Sequence, residues 1–451
     1  MSPSIAAYTG DFGPREAERL LWRAGFGPRP GQAKRLAKLG MRKAVMSLTR
    51  VGGTAPLRGP APHDGEGNPL APLDLWGHDH LWWLDRMVRS EHPLVERMTL
   101  VWHDWFATSD DDVDSSRLML QQNQLFRRNS LGSFHELLRQ VTVDPAMLVW
   151  LDGIKNSRRY LNENYARELM ELFTLGANRG AYTETDVREM ARALTGWRAT
   201  WDDELGYMDF RFDPIRFDSG TKTVFGQSGN FGWEDACRLC VQHPLHPSFV
   251  VSKLWSYFVA APPPPQEQRA LEQAYVSSGY ALRPLVEAIL MHPLLYRGPS
   301  LVKPPVVYLA GMLRALGRGI DTEDWVWLCG LAGQRLFRPP NVAGWDDARW
   351  LDTSTIRARW QLVAYALEPR ALGDERVERY STTESAERAL EKAIQFWGGP
   401  SLNKATRKAL LAFAAGCVRG RLEEWEQHTY RGLRQNALRH LIYVAPDMQR
   451  S

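Results

Sequence analysis

Apolar positions recur at helical spacing along most of the chain, with polar residues filling the intervals between them. Residues 15–26 read as a short helix stopped by Gly25 and Gly27, and a second follows over roughly 31–49 with Leu36, Leu39 and Val45 on one side. Residues 51–72 break the pattern with Gly52, Gly53, Pro56, Gly59, Pro60 and Pro62, so this stretch is expected as a loop. Helical spacing then predicts elements over 74–90, 93–107, 115–130, 133–142, 162–175 and 183–198. It resumes over 232–242, 247–259, 264–278, 282–292, 303–316, 322–332 and 354–367. Beyond a charged stretch near 370–380 it closes the chain over 383–397, 402–418 and 421–443. One segment differs: Asp209 to Pro214 alternates apolar and polar residues, and Thr221 to Phe225 is β-branched. With Asp218-Ser-Gly220 between them, they read as a small hairpin near 206–226. The expected fold is all-α, a multi-helix single globular fold over 1–451 with that β-hairpin inserted and a C-terminal helical subregion over 381–451.

Composition narrows the class. The chain has 451 residues, 44% hydrophobic and 24% charged, enough to bury a large core without staples. Its 56 basic and 52 acidic residues leave a net charge of only +4, and Arg alternates with Glu along the helices, so nucleic-acid binding is not expected. Cys237-Arg-Leu-Cys240 is a CxxC without a second pair or nearby histidines, and it lies in a helical pattern, which favours ordinary core cysteines. No export signal and no apolar run of membrane length is visible, so the sequence-based expectation is a cytoplasmic protein with no membrane association. Eighteen tryptophans make the chain tryptophan-rich, as fillers of the core or as walls of a sugar-binding pocket.

Candidate chemistry concentrates in a few segments. On a helical wheel of Asn162 to Phe173, Tyr165, Ala166, Leu169, Met170, Leu172 and Phe173 fall on one side, and Glu163, Asn164, Arg167, Glu168 and Glu171 on the other. Facing a cavity, Glu168 and Glu171 could bind a divalent metal or act as an acid–base pair; facing water, Glu163, Arg167 and Glu171 form an ion ladder. His103, in Val101-Trp-His-Asp-Trp-Phe-Ala107, falls with Glu96 and Thr99 on the polar side of its helix and offers a metal ligand or a general base. Asp110, Asp111, Asp112 and Asp114 lack calcium-loop spacing and read as a solvated acidic turn. Thr183 and Asp186 fit a capping box. Gly333 to Trp345 is a Pro- and Gly-punctuated loop, either a binding rim or a tie between helices. No GxGxxG before a helix, P-loop, HExxH or GxSxG is present, so the common nucleotide, zinc-protease and serine-hydrolase readings lose their sequence support.

These segments carry a resemblance. Leu21-Trp-Arg-Ala-Gly-Phe-Gly-Pro28, Trp102-His-Asp-Trp-Phe-Ala-Thr-Ser109, Asp144-Pro-Ala-Met-Leu148, Asn162 to Gly176, Tyr182-Thr-Glu184, Ala193-Leu-Thr-Gly-Trp197 and Phe337-Arg-Pro-Pro-Asn-Val-Ala-Gly-Trp345 resemble, in this order, the bacterial family known as domain of unknown function 1800. The resemblance spans nearly the whole chain but implies no catalytic assignment, because the family's activity is not established. It implies a sulfatase-like family as a partner protein. The chain departs from the family pattern at Trp105, where relatives commonly carry a second histidine, at the missing export signal, and in Arg216-Phe-Asp-Ser-Gly220, which lacks a histidine before the Asp.

The functional expectation is a metal-assisted hydrolase or oxidase acting on a glycan-like or polymeric substrate. The polar faces of helices 93–107 and 162–175 would converge on one pocket holding His103, Glu163, Arg167, Glu168 and Glu171, with His103, Glu168 and Glu171 as metal ligands. The alternative is a non-catalytic helical scaffold that binds a partner through its Pro/Gly loops.

Overall fold

The computed structural model describes residues 5–367, 383–418, 420 and 422–451. The charged stretch near 370–380 lies outside the described residues, as do the first two residues of the expected C-terminal subregion. Local chemistry sets the helix boundaries. Proline occupies the first turn of Pro14–Arg23, Pro93–Trp105, Pro145–Trp150 and Pro305–Leu316, where its missing N–H leaves nothing unsatisfied. Thr183 Oγ1 accepts from the Asp186 N–H at 3.2 Å while the Asp186 carboxylate accepts from the Thr183 N–H at 2.9 Å, the expected capping box. The element expected over 31–49 is two helices, Gln32–Ala37 and Met41–Thr49. Between them Gly40 takes φ 72°, left-handed backbone that an L residue resists.

Helices dominate, and strands are confined to one insertion. Within it the pairing differs from the expected single hairpin. Trp197–Asp202 pairs antiparallel with Gly206–Phe212, and Lys222–Val224 pairs with Gln227–Gly229. The segments near 209 and 223 are strands, but each pairs with its own neighbour. The second turn explains why: Phe225 and Gly226 both take positive φ, 51° and 75°, the geometry that folds a strand straight back on itself.

The buried apolar residues form two clusters. One gathers the N-terminal helices and the span from Leu125 to Tyr296, with Trp102, Trp105, Phe106 and Phe134 among them. The other gathers Leu81 to Val88, the Val306–Leu313 segment and the C-terminal helices. The Pro93–Trp105 helix serves both: Met98, Val101 and Trp105 enter the first and Leu100 the second. This helix is buried around its circumference, including the side expected to be polar, where Glu96, Thr99 and His103 are all buried. Cys237 and Cys240 are free and buried, and burial pushes the Cys237 thiol up to about 12, as suits core residues. Among the described residues no helix is long and apolar enough to cross a membrane.

Burying Glu96 is possible because two arginines meet it. Arg86 Nε lies 3.1 Å from Oε1, and Arg127 binds both oxygens at 2.8 Å. The two guanidiniums lie 5.5 and 5.4 Å from the Trp82 ring centre. Three helices, His78–Arg89, Pro93–Trp105 and Ser116–Arg128, are thereby joined through one carboxylate. Removing its charge leaves two cations facing each other without a counter-ion. Glu96→Gln is expected to cost about 3 kcal/mol of stability, read as a lower urea midpoint with an unchanged slope.

Candidate functional site

The segment richest in polar side chains does not remain a regular α-helix. Asn162 Oδ1 accepts from the Asn164 N–H at 2.9 Å and starts a short helix, Asn164–Glu168, which widens into a π-helix over Leu169–Thr174. Leu175 N–H reaches back five residues to the Met170 carbonyl at 2.9 Å, and Thr174 Oγ1 reaches the Leu169 carbonyl at 2.5 Å. The last three carbonyls are taken up by side chains from elsewhere. Lys253 Nζ donates to Leu172 O, Trp105 Nε1 to Phe173 O and His246 Nδ1 to Thr174 O, each at 3.0 Å. Trp105, the position at which the resemblance implies a histidine, is thus a buried carbonyl donor.

Asn164 and Glu168, one helical turn apart, line a cleft of about 660 Å³. Asp152, Lys155, Trp150, Asp112 and Tyr207 also line it. Asp152 takes φ 58°, in the left-handed region, and its carboxylate is held from two directions. Lys155 Nζ approaches Oδ1 at 2.6 Å, and the Asn164 amide donates to Oδ2 at 3.1 Å. Both Asp152 oxygens thus have donors. Glu168 differs: burial, then the negative charge of Glu171, raises its pKa, with Arg167 opposing. The cleft therefore brings together a carboxyl group whose pKa is raised and a carboxylate bound by a lysine and an amide.

Of the five expected site residues, Glu168 alone lines this cleft. Arg167 donates to both Glu184 oxygens, at 2.9 and 2.7 Å, and lies 3.5 Å from Glu163, a surface ladder in which Glu184 stands where Glu171 was expected. Glu171 accepts from the Tyr182 hydroxyl at 3.0 Å. His103 is 1% exposed and enclosed by the rings of Trp83, Phe337, Trp345 and Phe126, and burial lowers it to about 3, so the imidazole is neutral. Among the described residues no three His, Cys, Asp or Glu side chains are placed to hold a metal ion, so His103, Glu168 and Glu171 do not assemble as the expected ligand set. The physical reason is that the face carrying His103 is sealed by the two core clusters, whereas the face carrying Glu168 opens outward.

The two expected regions are nevertheless linked, through the Phe337 to Trp345 loop. Its Phe337 and Trp345 rings pack on His103, while Pro340, Asn341 and Val342 form the remaining wall of the cleft. Asp104 holds the far end of this loop: its Oδ1 accepts from the Trp345 N–H at 2.9 Å and its Oδ2 from the Tyr257 hydroxyl at 2.6 Å. Asp110 holds the near end, accepting from Arg338 at 2.9 Å while its own N–H donates to the Phe337 carbonyl at 2.9 Å; Asp111 also pairs with Arg338. The acidic stretch expected as a solvated turn is instead a short helix, Asp110–Val113, clamped to this loop. Asp152, Asp112 and Tyr207 were not legible as site residues. Nothing in the pattern around Asp152 set it apart, and its φ of 58° is visible only in the fold.

A family model described as "Protein of unknown function (DUF1800)" matches residues 19–450, nearly the whole chain. No curated protein and no solved structure matches it.

Two outcomes follow from this geometry. A histidine buried neutral adds stability that is complete above its unfolded pKa near 6.5 and is lost as pH falls towards its folded value of about 3. Relative to His103→Phe, the wild type should therefore lose roughly 1.4 kcal/mol per pH unit below about pH 6.5, measured by urea titration at pH 7, 6, 5 and 4.5. Gly344 sits at φ 92°, and a Cβ there would strike the Asp104 carboxylate and carbonyl. Gly344→Ala should cost about 2 kcal/mol or more, with only part of the loss relieved when Asp104 is also shortened to Ala, because the carbonyl contact and the positive φ remain.

Proposed function

This chain belongs to the DUF1800 family, whose function is unknown, and on that premise we propose that it is a hydrolase of a glycan-like or polymeric substrate acting at the Glu168–Asp152 cleft. The observation that carries this reading is the pair of carboxyl groups in one cleft with different environments. Such a pair divides acid and base roles. Glu168, whose raised pKa favours the protonated form, gives its proton to the leaving oxygen as the bond to that oxygen breaks. Asp152, bound by Lys155 and Asn164, accepts a proton from the attacking water, whose oxygen forms the new bond. Solvent then returns the proton to Glu168 and removes it from Asp152. Trp150 and Tyr207 offer aromatic walls on which a sugar ring can lie.

This form of the reading uses neither His103 nor Arg167 in chemistry. His103 positions the loop wall by packing, and Arg167 belongs to the outer ladder. That ladder favours a solvated outer face for Glu163, Arg167 and Glu184, as the scaffold alternative would have it, but only for that surface.

The test is release of reducing ends from a panel of soluble α- and β-linked oligosaccharides by the full chain. Glu168→Gln and Asp152→Asn are each expected to lower kcat by about 100- to 10,000-fold with the fold retained. Activity should fall as pH rises through the raised Glu168 pKa, because the acid is then lost. Turnover unchanged in both variants would refute the assignment. Activity that survives exhaustive chelation supports proton transfer alone, and loss that one divalent metal restores would support the metal-assisted form.

A further inference from the structure

A second pocket, of about 310 Å³, lies where the Pro14–Arg23 helix meets the C-terminal segment, and it shares no residue with the cleft. Its walls bring four cations, Arg15, Arg19, Lys303 and Arg450, against two carboxylates, Glu18 and Asp447. Both carboxylates already have partners. Asp447 accepts from the Asn403 N–H at 2.9 Å and from Thr406 Oγ1 at 2.5 Å. Glu18 accepts from the N–H and hydroxyl of Ser401 at 3.3 and 3.0 Å.

The cations are not matched in the same way. Lys303 is 2% exposed, yet its ammonium, which has three hydrogens to give, donates to one protein acceptor, the Met448 carbonyl at 2.8 Å. Its Nζ stands 3.6 Å from the Trp22 ring centre, and the charge that most favours its ammonium form is that of Glu18, a carboxylate already bound by Ser401. Behind it are two more buried guanidiniums, Arg23 and Arg359. Arg23 is spent on the carbonyls of Phe258, Pro299 and Ser451, and Arg359 on those of Trp350 and Lys303 and on the Gln449 amide. Arg19 spends its terminal nitrogens on the carbonyls of Tyr296, Gly298 and Pro299, and its buried Nε has no partner. Arg15 and Arg450 stand exposed at the rim. Carbonyl oxygens orient Arg19 and Arg359 without neutralising them, and burial pushes the Lys303 pKa down, with Arg359 and Arg23 adding to the shift and the charges of Glu18 and Asp447 opposing it.

We propose that this pocket binds a tetrahedral oxyanion of the phosphate type, free or carried on a small molecule, with Lys303 at its floor and Arg15 and Arg450 closing over it. The floor supplies free N–H donors beside a desolvated charge, and the rim supplies two unspent planar forks that fit an oxyanion edge. The pocket is wider than one phosphate needs, and the Trp22 face offers a wall for an attached group. The site is independent of the hydrolase reading.

Equilibrium dialysis of the full chain against labelled inorganic phosphate at low ionic strength tests it, with sulfate as competitor. One saturable site per chain is expected. Arg15→Ala with Arg450→Ala, both exposed and safe for folding, should weaken it about tenfold, the loss of a charge-assisted bond. Lys303→Met should abolish it. Competition by sulfate at similar concentration would mark general oxyanion recognition, and failure of sulfate to compete would mark phosphate selectivity; either agrees with the proposal. Absence of saturable binding in the wild type, or equal binding in the wild type and the rim variant, would overturn it.

Discussion

The hold of Asp104 and Asp110 on the Phe337 to Trp345 loop is the constraint on which the rest of the site depends. Neither carboxylate is free. Burial raises both pKa values, and each is kept useful by specific donors: Tyr257 and the Trp345 N–H for Asp104, Arg338 and the Ser115 N–H for Asp110. A buried carboxylate without such donors would be too costly to keep, so the pairing is mutual. The loop is ordered because the aspartates need it, and the aspartates tolerate burial because the loop supplies donors. Gly344 completes the arrangement, since any side chain there would occupy the space of the Asp104 carboxylate.

From that hold the cleft follows. The fixed loop presents Pro340, Asn341 and Val342 as a wall opposite the Asn164–Glu168 turn. The turn is fixed from its other side by the π-helix, whose terminal carbonyls are bound by Lys253, Trp105 and His246. Lys253 belongs to both systems. It lies over the Trp105 ring, donates to Leu172 O, and feels the charge of Asp104, while burial lowers it to about 8. The two core clusters meet at Trp150, which packs against both and also lines the cleft. The opening is therefore built at the seam of the molecule, where two packed bodies leave polar groups between them.

Much of this was readable from the chain. Helical spacing foresaw the dominant architecture, and the Thr183/Asp186 motif foresaw the capping box. It failed where tertiary context overrode periodicity. A wheel at fixed pitch cannot anticipate a π-helix, so Leu172, assigned to the apolar side, is only partly buried, and Glu171 turns to Tyr182. The polar side of Pro93–Trp105 was expected to face a pocket, yet Glu96 is buried by arginines from two other helices, a match that no local pattern encodes. Asp152 was missed because its importance comes from Lys155 and from Asn164, the latter 12 residues away in sequence. Asp110 and Asp111 read as a wet turn because their partner, Arg338, lies more than two hundred residues further along the chain.

The central claim is that Asp104 fixes the loop that forms the cleft wall. Amide hydrogen exchange of the Phe337 to Trp345 segment in wild type and Asp104→Ala measures it directly. The account predicts that exchange across this loop, led by the Trp345 amide, accelerates by at least tenfold in the variant while the His78–Arg89 helix is unchanged, since one charge-assisted bond is worth about that factor. Equal protection of the loop in both proteins would contradict it.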